Sequence, residues 1–185
     1  MTKNGRYAIG VRTHSGWAAA AVACGTLHDP LILQRGKLAL VPSEGDETFT
    51  QPYHVAKTLT LAQARKVIER AERSAEKLAG AALRALLSES SANVVACAIL
   101  SSKAKIPDDL DATLKSHALI HGAEGNLFRD AIARAAEDVG LEVHYLPEYE
   151  IEGKLPNLDL KLGPPWGRDE KLASIAALVV ASPSG

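Results

Sequence analysis

Residues 93–100 read NVVACAIL, a short run that is apolar at every position but the first. A strand of that kind is covered on both faces, so the chain must supply layers above and below it. The rest of the sequence supplies them. Residues 7–11 alternate large and small side chains, residues 17–24 form an apolar run between Ser15-Gly16 and Gly25-Thr26, and residues 31–41 follow the turn pair Asp29-Pro30. These read as three strands with short connections, hence an antiparallel meander. Leu61, Ala64, Ile68, Ala71, Ala75, Leu78, Ala82 and Leu86 mark one face of a long helix. A second helix runs from Asp111 or Ser116 to Val139 and stops at Gly140, a good C-terminal cap. Residues 141–146 form another strand closed by Pro147, and residues 169–181 a last helix. Residues 42–60 are polar and read as a long loop, whose length alone supports Gln51-Pro52-Tyr53-His54 as a flap over the crevice, and residues 148–167 are a polar stretch leading to the last helix. The expected fold is therefore α/β: one domain over residues 1–185, with a mixed five-stranded sheet and helices on both faces.

Composition bounds function more than fold. With 46% hydrophobic and 23% charged residues, the chain is an ordinary globular one. A net charge of −1 removes the generic polyanion binders, so duplex nucleic acid is not the favoured partner. Residues 137–152 carry mostly acidic charge, and Arg65, Lys66, Arg70, Arg73 and Lys77 are interleaved with Glu69, Glu72 and Glu76 as a solvated helix face. No run approaches the ~18 apolar residues of a membrane span. Residues 1–7 lack the apolar core of a signal peptide, and the expected location is the cytoplasm. Cys24 and Cys97 lie in apolar runs and read as buried small hydrophobes, neither disulfide-bonded nor nucleophilic.

The order of strands and helices resembles the ribonuclease H-like fold, including its Holliday-junction-resolvase branch. The opening GVRTHSGWAAAAVACGT resembles the resolvase hairpin. Three stretches, GVRTHSGWA (10–18), SHALIHGAEGNLFR (116–129) and GPPWGRDEK (163–171), are similar to an uncharacterised bacterial family assigned to that fold. The resemblance implies carboxylates on the first strand, near the end of the fourth, and on the last helix, where nucleases of the fold bind two Mg²⁺ ions. At the first of these positions stands Arg12. The fourth strand runs out through Ile99-Leu100-Ser101-Ser102-Lys103 with no carboxylate before Asp108, and only Asp169 and Glu170 match the third position. A fixed positive charge where Mg²⁺ would sit argues against a two-metal site.

Other polar residues converge. His117, His121 and Glu124 project onto the helix face centred on Ile120, Leu127, Ala131, Ala135 and Val139. The spacing H-x₃-H-x₂-E lets two imidazoles and a carboxylate meet as metal ligands do; backbone bonding or helix capping is the structural alternative. The C-terminal ends of the first and fourth strands form the switch-point crevice, where Arg12, Thr13, His14 and Ser15 leave the sheet. Arg12 offers a planar fork for carboxylate or phosphate, or a partner for Glu124, and His14 changes charge near neutral pH. Asp169 can cap the last helix and shares the inward face of Leu172, Ala173 and Ala176. Trp166, near Arg168 and Lys171, reads as a hydrophobic lid or a stacking platform.

The leading expectation is a domain without the two-metal nuclease site and without a cofactor. It binds an anionic ligand or partner through Arg12, His14, His117, His121, Glu124, Trp166, Arg168 and Asp169. One alternative is an altered nuclease or other hydrolase, with His14, Glu124 and Asp169 as catalytic candidates and a single divalent metal on His117, His121, Glu124 and Asp169. The other is a non-enzymatic homodimer built on apolar helix faces.

Overall fold

A computed structural model describes residues 5–90, 92–102, 105–158 and 160–182. Residues 1–4 of the signal-peptide reading, and Lys103 after the fourth strand, lie outside the described residues. Strands β1 (Tyr7–His14), β2 (Trp17–Gly25) and β3 (Pro30–Ala39) form the expected antiparallel meander. β4 (Val94–Ser101) pairs parallel to β1, and β5 (Glu142–Pro147) parallel to β4, giving the order β3-β2-β1-β4-β5. In chain order the helices are α1 (Glu47–Thr50), α2 (Pro52–Ala56), α3 (Leu61–Ser90), α4 (Leu110–Leu114), α5 (His117–Asp138), α6 (Glu148–Glu152) and α7 (Arg168–Ala181).

Strand alternation divides the interior in two. Tyr7, Ile9 and Val11 of β1 join Cys97 and Ile99 of β4 against α3 and α5. Ala8 of β1 joins Ala96, Ala98 and Leu100 of β4 against α7. That double coverage is why residues 94–100 are apolar at every position. The α7 face is built of small residues, so helix and sheet approach closely. A Cβ on Gly10 would lie 1.8 Å from the carbonyl oxygen of Ala173, which leaves room for glycine alone.

Several boundaries differ from the sequence reading. Residues 42–60 carry two short helices: Asp46 caps α1 by accepting from the Thr48 amide at 2.9 Å, and Pro52 opens α2. This segment packs on α3 and α5, with Phe49, Thr50 and Ala56 buried, instead of lying as a flap over the strand ends. Of the two proposed starts of the second helix, Ser116 is the one used, and Asp111 lies within a separate short helix, α4. Asp109 caps α4, and Ser116 caps α5 through the Leu119 amide. The buried stripe of α3 follows Ala64, Ile68, Ala71 and Ala75 but continues through Ala79 and Leu83; Leu61 at its start is exposed. Gly140 follows α5 at φ +80°, the left-handed conformation expected beyond a helix end. Residues 148–167 include α6 and a 3₁₀ turn at Leu155–Asn157. No described helix is long and apolar enough to cross a membrane.

Candidate functional site

The polar residues singled out by sequence fall into two groups on opposite sides of the sheet. Arg12 and His14 have the parity of Ala8 and Gly10, so they rise on the α7 side at the C-terminal end of β1. The first residue beyond β5 is Glu148, and the second residue of α7 is Asp169. Both close on Arg12. Its Nε and Nη2 donate to Glu148 Oε1 at 2.9 and 2.7 Å, and its Nη1 donates to Asp169 Oδ1. His14 Nε2 lies 3.0 Å from Arg12 Nη1 and 3.1 Å from Asp169 Oδ2. One tautomer therefore accepts from the arginine, and the other donates to the carboxylate. The His14 ring stacks on Trp17 at 4.2 Å, its cross-strand partner in the hairpin. Burial opposes the Arg12 charge, but the bonds and charges of Glu148 and Asp169 outweigh it and hold the guanidinium above its ordinary value.

The second group lies on the α3/α5 side. Glu124, 3% exposed, accepts from His54 Nδ1 at 2.9 and 3.0 Å and from the His54 amide at 3.2 Å. His117 and His121, one turn apart at the start of α5, turn their Nε2 atoms toward each other at 3.0 Å. The His54 ring is edge-on to both, with centroids 5.5 and 4.8 Å away. Each of the three histidines offers a ring nitrogen within 4.8 Å of the others.

This arrangement corrects several expectations. Arg12 does not pair with Glu124, because their elements meet the sheet from opposite faces. His117 and His121 flank the buried stripe of α5 and are exposed, whereas Glu124 is within it. Asp169 joins neither the histidines nor a helix cap. The cap position is Gly167, whose amide donates to Glu170 Oε2 at 2.8 Å. Asp169 faces the sheet, as its place on the inward face of α7 implies, and is held by Arg12 at the C-terminal end of the central strand β1, half-buried where Leu172 and Ala173 are fully buried. Arg168 is engaged with Glu152 at 2.5 Å. Trp166 is anchored through Nε1 to the Leu160 carbonyl at 2.8 Å, with the Arg35 guanidinium over its ring at 5.6 Å, and packs partly buried against the α7-side core. Burial pushes the Cys97 thiol up to about 12, in keeping with an inert cysteine. The apolar faces of α3, α5 and α7 are used against the sheet.

Two residues of these clusters were missed in the sequence. Glu148 follows the strand-closing Pro147, and the first residue past a parallel strand belongs to the crevice. His54 sits behind Pro52, the helix-opening signal in a segment read as loop.

No family model matches the chain, and no curated protein matches it. Among solved structures, Thermus thermophilus RuvC in complex with a Holliday junction substrate is similar over 93% of this chain and 90% of its own, with a TM-score of 0.52 and 14% identity. Another Thermus thermophilus RuvC structure matches over 92% and 90%, with a TM-score of 0.52 and 13% identity. An exopolyphosphatase from Cytophaga hutchinsonii covers 81% of this chain and 36% of its own at a TM-score of 0.34, which adds nothing to the assignment. The mixed sheet, its strand order and the two RuvC structures show an α/β chain with a ribonuclease H-like fold. Within that class its fold is RuvC-like.

Proposed function

We propose that this chain is a ribonuclease H-like domain that has exchanged two-metal chemistry for an arginine-centred binding crevice. The observation that supports this is Arg12, at the first-strand position of the fold's carboxylate, enclosed by Glu148 and Asp169. The guanidinium offsets one of the two carboxylates, and a divalent cation placed among them would meet its fixed like charge. The ligand suited to this crevice is a single oxyanion, carboxylate or phosphate, carried by a small molecule or a partner protein. It replaces Glu148 on the Nε and Nη2 donors of Arg12. Glu148 is the more accessible of the two acids, 31% exposed against 25% for Asp169. A duplex suits the crevice less, because α6 carries Glu150 and Glu152 beside Glu148, where further phosphates would lie.

The experiment follows the His14 ring resonances by NMR during titration with inorganic phosphate and with Mn²⁺, alongside a four-way-junction cleavage assay. In the wild type, phosphate shifts these resonances, Mn²⁺ leaves them sharp, and the junction stays intact. In Arg12→Asp, which gathers three carboxylates, Mn²⁺ broadens them. Mn²⁺-dependent cleavage by the wild type, or no response of His14 to phosphate, overturns the reading.

A further inference from the structure

The histidines on the other side of the sheet take no part in that crevice. We propose that His54, His117 and His121 form a mononuclear site for a divalent transition-metal ion of zinc-like preference, with Glu124 as the carboxylate that orients His54 and a fourth position open to solvent.

Four observations support it. First, His117 and His121 stand at i and i+4 on α5, the spacing that stacks two imidazoles on one helix face. Second, His54 enters from α2, a separate element, so the ring nitrogens approach a common point from two directions. Three ligands in a tetrahedral zinc site, with Zn–N near 2.0–2.1 Å, stand roughly 3.3 Å from one another. The 3.0 Å separation of the His117 and His121 Nε2 atoms is close to that value. Third, a carboxylate has no proton to give, so Glu124 fixes the hydrogen of His54 on Nδ1 and leaves the Nε2 lone pair free. A carboxylate behind a ligating imidazole is the usual outer support of such sites. Fourth, a His54–Glu124 hydrogen bond would not by itself gather the other two rings. His117 and His121 are exposed and have solvent available in other directions, yet they converge on His54.

The ligand set also selects the ion. Imidazole nitrogens suit zinc, copper, nickel and iron, whereas Mg²⁺ and Ca²⁺ require oxygen ligands. Three protein ligands leave one tetrahedral position, on the side where His117 and His121 are exposed, for water or an exogenous group. Metal binding would tie α2 to α5.

The test is isothermal titration of the chelator-treated full chain with ZnCl₂, repeated with MgCl₂, and a visible absorption spectrum after adding CoCl₂. One Zn²⁺ binds per chain, Mg²⁺ does not bind, and Co²⁺ gives the intense visible bands of a four-coordinate ion. His121→Ala and His117→Ala, both at exposed positions, each weaken Zn²⁺ binding by about 100-fold or more; Glu124→Gln weakens it by about 10- to 100-fold. Arg12→Ala, across the sheet, leaves Zn²⁺ affinity unchanged, which separates this site from the crevice. No Zn²⁺ uptake by the wild type, or unchanged affinity in His121→Ala, overturns the proposal, whether or not Glu124→Gln folds.

Discussion

Arg12 stands near the C-terminal end of β1, and its neighbours determine what that position can do. Its side chain is 20% exposed, and those of Glu148 and Asp169 are 31% and 25% exposed, so the cluster is neither a surface pair nor a buried one. Its strength should fall between those limits. A double-mutant cycle on Arg12→Ala and Asp169→Ala, read by denaturant unfolding, should give a coupling of about 1–3 kcal/mol, below the 3–5 kcal/mol lost when a fully buried pair is broken. The same cycle on Arg12 and Glu124 should give a coupling near zero, since the sheet lies between them. A zero value for the first cycle would remove the centre of the proposed crevice. The resemblance implied a carboxylate at the position where Arg12 stands, and Asp169, 157 residues away in sequence, was expected in the same crevice; Glu148, 136 residues away, was not, because nothing local ties it to Arg12.

At the scale of elements, strands were read more reliably than connections. β1, β2, β4 and β5 follow from apolar runs whose period matches a sheet, and their order follows from short links and right-handed crossovers. The 42–60 segment was misread because its helices are only four and five residues long, too short to show a helical period. Their positions rest on Asp46, Pro52 and contacts with α3 and α5. The contact between β1 and α7 gives the sharpest test at this scale. Gly10→Ala places a methyl group inside the Ala173 carbonyl, and neither backbone can withdraw without parting helix from sheet. The expected result is a loss of about 3 kcal/mol or more, seen as a large drop in denaturant midpoint by circular dichroism. A near-wild-type midpoint would show that α7 does not pack this closely.

For the whole molecule, the balance of charge leaves one measurable imprint on stability. Burial, with Glu76 and Glu69 nearby, holds the Glu72 carboxyl above its ordinary value, although Arg134 draws it down. A carboxyl whose folded value is raised contributes stability that is complete below its unfolded value and is lost as pH rises through the folded one. At pH 7 the ionised Glu72 therefore opposes folding. Glu72→Gln should raise the unfolding midpoint at pH 7, with the advantage shrinking as pH falls toward about 4 and wild-type Glu72 takes up its proton. An advantage that does not change with pH would assign the gain to something other than charge. The sequence by itself determined the layers: short apolar runs bounded by turn residues read as covered strands, and helix stripes with a period of 3.6 supply the faces that cover them. It also put a cation, Arg12, at the end of the first strand. Which charges meet was decided by the tertiary structure alone. Strand parity sent Arg12 to one side of the sheet and Glu124 to the other, while the packing of α2 on α5 brought His54 to His117 and His121. Period and propensity are carried by neighbours in the chain, but such meetings depend on the faces that distant segments present once the sheet has closed.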